Sequence, residues 1–261
     1  MNGILGAVTA NLDTFILMLL RVSSLIISSP IFGRKNVPNT LKIAFCVLVT
    51  YVLFAAGPDG SAIRYSGVVE FAVLCLKELL FGLVLGYVTT LFFSVVHTAG
   101  QVMDMQMGFG MVNVFDVQNN ISVPVTGTML NVILLVAFFG VNGHLQLIYI
   151  VRSTFANIPV GAVGLNPAIG LAALEVFVLA FLLAVNVAMP MIAAGLLGEV
   201  AMGFIVRAIP QMNVFVVGIP LKILLGFLIL LLIIPVYVGF TDVIFRNMFS
   251  SINTMLAGLA A

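Results

Sequence analysis

The spacing of the charges constrains this chain more than any other feature. No Asp, Glu, Lys or Arg occurs between Lys42 and Asp59, Glu78 and Asp104, Asp116 and Arg152, Glu175 and Glu199, or Lys222 and Asp242. A helix needs about 20 predominantly apolar residues to cross a bilayer, so these stretches are candidate membrane helices. Composition agrees, with 62% of the 261 residues hydrophobic and 7% charged. A soluble domain carries roughly 25% charged residues, so this chain has too few to cover a water-facing surface. It reads as an all-α integral membrane protein.

Six apolar segments follow, at 12–32, 43–57, 71–97, 126–150, 170–198 and 223–240. Gly33 with Pro38, Gly57-Pro58, Pro124, Pro159 with Pro167, and Pro210 with Pro220 break the chain between them. No soluble domain, internal repeat or low-complexity tail interrupts residues 1–261, which are taken as a single membrane domain. The opening MNGILGAVTANLD lacks a basic stretch, so the first apolar segment is expected to be retained. Under the positive-inside rule, Arg34, Lys35, Lys42, Arg207 and Lys222 outweigh Arg64, Arg152 and Arg246. That places the first loop in the cytoplasm and the N-terminus outside. A net charge of +1 points to no nucleic acid or acidic partner.

Several segments depart from plain spanning helices. Pro30, Pro190 and Pro235 fall in or near the end of apolar runs, where each should kink or end a helix. Arg21, Lys77, Glu78 and Glu175 are charges inside apolar text, so each should face protein or a wet cavity. Gly82 and Gly86 in GLVLG, and Ala194 and Gly198 in AGLLG, place small residues four apart, which lets helix backbones pack closely. Lys77 and Glu78 are adjacent and point about 100° apart on a helix, so they do not pair with each other. Partners on other helices explain them more simply than a proton relay, which needs titratable groups in series.

Motifs for catalysis are lacking. His97 and His144 have no second ligand at helical spacing, and Cys46 and Cys75 lie unpaired in apolar stretches as small hydrophobes. His144, after Asn142-Gly143, is expected near a helix end. There is no nucleophile elbow, phosphate-binding loop or dinucleotide fingerprint. No catalytic, metal or cofactor site is expected, and an enzyme reading has no support.

One segment stands apart: QVMDMQMGFGMVNVFDVQNN, residues 101–120. Met103, Met107 and Met111 are spaced for a helix, but Gly108 and Gly110 each cost about 1 kcal/mol there relative to Ala. Helix is expected to about Met107 and irregular backbone beyond it. Irregular backbone at membrane depth survives only where protein buries it or it lines a wet cavity. Met105, Met107, Phe109, Met111 and Phe115 are deformable or bulky apolar groups that could seal such a cavity, with Gly108 and Gly110 as hinges. A packing loop without a gating role fits the residues equally well.

Four stretches then carry a family resemblance across nearly the whole chain. They are SSPIFGRKNVPNTLKI, KELLFGLVLGYVTTLFFSVVHTAGQVMDMQMGF, FFGVNGHLQLIYIVRSTFANIPVG and GEVAMGFIVRAIPQMNVFVVGIPLKILLGF. The last is the most specific, with Glu199, Arg207, Pro210, Gln211, Asn213 and the Pro220-Leu221-Lys222 turn. Together they resemble the FliR family of flagellar biosynthetic proteins, which has a counterpart in virulence type III secretion.

The resemblance implies a non-enzymatic export-gate component in the bacterial inner membrane, at the flagellar basal body. It implies FliP- and FliQ-like subunits, FlhB- and FlhA-like proteins nearby, and unfolded polypeptides as cargo. It also implies kinked helical hairpins in a hetero-oligomeric helical assembly standing partly above the membrane. A pore plug falls at residues 108–122, and Gly100, Gln101 and Gly108 match the residues that hold the neighbouring helix end. Where the family often has Asp-Pro, this chain has Asp116-Val117, so the turn that closes the loop is not carried over. Arg207 is expected to bond backbone carbonyls or a carboxylate at a helix end. The alternative class is a small-solute secondary transporter or channel, which should show an internal repeat.

Overall fold

The computed structural model describes residues 11–34, 36–56, 63, 65–109, 124–164, 168–209 and 214–260. Among them all regular secondary structure is helical. The helices are α1 (Leu12–Ser28), α2 (Asn39–Ala55), α3 (Val68–Met107), α4 (Val125–Gly140), α5 (Gly143–Asn157), α6 (Ala168–Ala208) and α7 (Val214–Ala260).

Three of these are much longer than the apolar runs that announce them. α6 continues through Pro190, and α7 through Pro220 and Pro235. Each proline removes one intrahelical hydrogen bond without ending the helix, and all three lie on exposed faces of it. Asp242 and Arg246 do not end α7 either: both lie on its exposed surface, and the helix runs on to Ala260. The 126–150 run, by contrast, is two helices. They part at Asn142, which adopts a left-handed conformation with φ 57°. Asn tolerates that conformation better than most residues, and His144 follows in the first turn of α5.

Length alone places part of these helices outside the bilayer. At about 1.5 Å per residue, the 40, 41 and 47 residues of α3, α6 and α7 have contour lengths of about 60–70 Å. The hydrocarbon core is about 30 Å thick, and tilts beyond about 40° are outside the usual range. Among the described residues, three helices are long and apolar enough to cross, or four if α4 and α5 cross as one broken span. The chain is a multi-pass, all-α membrane protein.

The chain divides into two compact units. The first comprises Met1–Leu91, Val141–Phe177 and Asn247–Ala261, and the second Phe92–Gly140 and Val178–Arg246. In the first unit α1 buries one stripe, Leu17, Met18, Val22, Leu25 and Ile26, at helical spacing. Phe15 meets Phe54 edge-on at 5.8 Å, and Phe32 stacks on Phe45 at 5.2 Å. Gly82 and Gly86 of α3 lie against α1. A Cβ on Gly82 would stand 1.8 Å from Ser24 Oγ and 2.5 Å from the Arg21 carbonyl, and one on Gly86 would stand 1.6 Å from Ser28 Oγ. The pair of glycines is there for backbone approach, as their four-residue spacing suggests. The end of α7 closes this core with Met248, Ile252, Met255 and Leu259.

In the second unit Phe138 is the centre of an aromatic cluster, edge-on to Phe93 at 5.6 Å and to Phe245 at 5.5 Å. The buried Tyr237 hydroxyl donates to the Leu130 carbonyl at 3.0 Å, and His97 Nε2 lies 3.1 Å from Asn131 Nδ2. The closest helix approach is at Gly100 of α3 and Gly127 of α4, where a Cβ on Gly100 would stand 2.1 Å from the Gly127 Cα. Backbone, not a movable side chain, fills that space. Gly100→Val is therefore expected to lower the thermal unfolding temperature of the detergent-solubilised protein, with an overpacking cost of about 1–3 kcal/mol. Gly170→Ala, which meets nothing within 4 Å, is the neutral control. Equal melting of the two variants would show that the Gly100 contact is not tight.

Candidate functional site

The site is built around the end of α3, where the helix stops at Met107. Gly108 follows with φ 86°, a conformation that costs an L-residue with a Cβ roughly 1–2 kcal/mol. The expected helix end thus falls at the expected residue, but the irregular backbone expected beyond it is not seen at Phe109, which is helical. Of the plug segment, Gly110, Met111 and Phe115 lie outside the described residues, while Met105, Met107, Gly108 and Phe109 lie within them.

Three contacts fix this helix end, all within the second unit. Asp104, in the last turn of α3, accepts hydrogen bonds from the Thr126 hydroxyl and from the Thr126 backbone N–H at 3.2 Å. Thr126 lies in the first turn of α4, where N–H groups lack intrahelical partners and negative charge is favoured. The carboxylate therefore caps the helix that follows the segment from the helix that precedes it. Met107 is buried and presses on α7, where a Cβ on Gly226 would stand 2.5 Å from Met107 Cγ. Gln106 meets α6 in the same way, with its Oε1 2.6 Å from the position of a Cβ on Gly195. Phe109 packs edge-on against Phe227 of α7 at 5.8 Å.

Sequence reasoning missed Asp104, Thr126, Gly127, Gly195 and Gly226. One signal was present: Asp104 is the only charged residue between Glu78 and Asp116, so it called for a partner. The glycines on other helices gave none, because nothing local tells a contact glycine from a spare one.

Beside this helix end lies a cavity of about 710 Å³ lined by α3, α6 and α7. Met105 contributes from α3 and Gly108 from just past its end, Glu199, Met202 and Arg207 from α6, and Lys222 and Leu225 from α7. Glu199 accepts from Lys222 Nζ at 2.6 Å, and both side chains are partly exposed. Arg207 occupies the last turn of α6 but makes no hydrogen bond or ion pair among the described residues. The carboxylate two turns back on its own helix is engaged with Lys222 instead. Pro210, Gln211 and Asn213 lie outside the described residues.

The first unit holds a second constellation, a buried ion pair. Arg21 of α1 and Glu78 of α3 are 1% and 0% exposed. Arg21 Nε donates to Glu78 Oε2 at 2.5 Å and Nη2 to Oε1 at 2.9 Å, a two-pronged bond that only a guanidinium can make. Nη1 donates to the carbonyls of Thr154 at 3.3 Å and Ile158 at 2.9 Å, at the end of α5, where a cation is favoured. Gly161, with φ 84°, donates its N–H to Glu78 at 2.8 Å. The rings of Phe81 and Phe155 each lie 4.6 Å from the guanidinium. Both charges face protein, as their apolar surroundings in sequence require. Lys77 is half-buried and Glu175 exposed, and neither makes an ion pair among the described residues.

Comparison with known proteins gives a consistent answer. Residues 12–248 match the family described as bacterial export proteins, family 1. The flagellar biosynthetic protein FliR of Escherichia coli K12 is 29% identical over 249 residues, covering 95% of this chain and 94% of the relative. FliR of Bacillus subtilis 168 is 31% identical over 247 residues, covering 92% of each. The Yop proteins translocation protein T of Yersinia pestis is 27% identical over 227 residues, covering 84% of this chain and 85% of that one. The chain belongs to the bacterial export proteins of family 1, the FliR family.

Proposed function

We propose that this chain is a subunit of a type III secretion export gate in the bacterial inner membrane, working in flagellar assembly. It forms, with FliP- and FliQ-like subunits and beside FlhB- and FlhA-like proteins, the channel through which unfolded polypeptides leave the cytoplasm. Family membership carries this reading, since the match extends over residues 12–248. Helices about twice as long as a bilayer core is thick fit a subunit that stands partly outside the membrane. Residues 108–122 act as the pore plug. Two features support that role: the left-handed Gly108 and the Asp104–Thr126 clasp, which hold both ends of the segment to a fixed base. The chain supplies channel wall and closure and no chemistry.

The likeness to a Yop translocation protein favours a second reading, the virulence counterpart of the same gate.

A tagged chain purified from its own membranes in mild detergent should bring down unlike helical subunits in one discrete complex. Deleting its gene should abolish flagella. Recovery of a folded, monodisperse monomer or homo-oligomer that transports a small solute would overturn the proposal.

A further inference from the structure

The cavity beside the end of α3 has two kinds of lining. Met105, Met202, Val206 and Leu225 are apolar, and Gly198, Gly203 and Gly218 widen the space between helices. The charged residues Glu199, Arg207 and Lys222 complete the wall. Their positions along the helices matter. Arg207 sits in the last turn of α6 and Lys222 in the third turn of α7, and both helices are apolar enough to cross a membrane. The cations therefore lie near helix ends, with apolar wall extending from them along the two helices.

The charges do not balance. Glu199 neutralises Lys222 at 2.6 Å, while Arg207 has no hydrogen bond or ion pair among the described residues. One positive charge is left over: Arg207 is exposed at the edge of an apolar space, open to an anion from outside the chain. A guanidinium offers a planar fork that suits phosphate oxygens. At the end of a membrane helix the phosphates at hand are those of phospholipid headgroups.

Size separates the candidate occupants. The volume, about 710 Å³, lies within the range of about 300–1,000 Å³ typical of small-molecule sites. Ten residues of a partner helix, about 15 Å long and at least 10 Å across, would need on the order of 1,200 Å³. An acyl chain is slender enough to enter and flexible enough to follow a wall of Met and Gly. An apolar chain ending in an anion is the shape and charge pattern that this lining complements.

We propose that the cavity binds one acyl chain of an anionic phospholipid, laid against Met105, Met202, Val206 and Leu225, with the second chain left outside and the phosphate on Arg207. Lys222, shared with Glu199, is the second cation within reach. The inference depends on α6 and α7 lying in a membrane and is independent of the export reading.

The test uses the tagged full-length chain, with whatever subunits it carries, stripped of lipid in mild detergent. Phosphatidylglycerol or phosphatidylcholine of identical acyl chains is then added back, and bound lipid is counted by native mass spectrometry. Phosphatidylglycerol should fill one site per chain at a concentration at least about fivefold below that of phosphatidylcholine, from roughly 1 kcal/mol per basic residue. Arg207→Gln should bring the two lipids within about twofold of each other. Gly203→Leu, which narrows the cavity, should weaken both lipids. Equal retention of the two lipids by the unmodified protein would overturn the proposal, and that comparison needs no variant. Unchanged phosphatidylglycerol binding by Arg207→Gln would overturn it as well. So would an efficient cross-link from Met202→Cys to a second protein chain in intact membranes, which would make the occupant a helix.

Discussion

Glu78→Gln should lower the stability of the chain by about 3–5 kcal/mol, a large share of the roughly 5–15 kcal/mol that holds a typical domain folded. The substitution keeps the shape of the side chain and leaves the Arg21 guanidinium buried without its counter-charge. Arg21→Leu should do comparable damage from the other side, since only the Gly161 N–H then remains to Glu78 among the bonds described. Removing both charges is a different experiment. Arg21→Met with Glu78→Leu leaves no buried charge, and apolar replacements of buried pairs are often neutral or stabilising. The double variant should recover most of the loss, less the bonds to Thr154 and Ile158 that held the end of α5. Arg21→Lys should fall between, because an ammonium keeps the charge but not the fork that reaches Glu78 and α5 together. Thermal unfolding in detergent, or the yield of protein that elutes as a single species, measures all four. If the double variant is as damaged as either single one, the charges are not what joins these helices.

The second large effect is on tightness rather than stability. Deleting residues 110–120 should leave the protein assembled and make the membrane leak. Asp104 and Thr126 already hold the ends of α3 and α4 within hydrogen-bonding distance. The few residues left between Gly108 and Thr126 therefore have little distance to span, at about 3.3–3.6 Å each when extended. Assembly is thus expected to be near normal. Passage of a small solute, or loss of membrane potential in cells carrying the complete complex, reads the leak. Phe109→Ala with Met111→Ala should leak less than the deletion, because deformable Met side chains can close part of the gap. A deletion variant that assembles and stays tight would reduce this segment to a packing loop.

What the sequence disclosed here was local. Gly108 and Gly110 after a run of Met predicted the end of α3 at Met107, and Asn142-Gly143 predicted a turn, because a residue's φ preference is its own property. The spacing of Gly82 and Gly86 predicted a close helix approach for the same reason, though not that Ser24 and Ser28 would be the surface they meet. Pairings across the chain were hidden. Arg21 and Glu78 each demanded a partner, yet they stand 57 residues apart and nothing in either neighbourhood names the other. Glu199 and Arg207 share a helix, but it is Lys222, 23 residues from Glu199 on the next helix, that takes the carboxylate. Helix lengths were underestimated where proline and charge were read as ends. In a packed helical protein Pro190, Pro220 and Pro235 mark a missing bond within a helix that continues.

The way the two units divide the sequence sets the order in which the protein can be completed. The first unit draws on Met1–Leu91, Val141–Phe177 and Asn247–Ala261, so its core stays open until residues 247–261 are made. Met248, Ile252, Met255 and Leu259 then close it, each at most 1% exposed. A nascent chain emerging at about 5–20 residues per second must hold this core unfinished while everything between is synthesised. During that interval the apolar surface that Met248, Ile252, Met255 and Leu259 will cover is open to membrane chaperones and proteases. Cells thus have a reason to keep this chain scarce and to translate it beside whatever covers it.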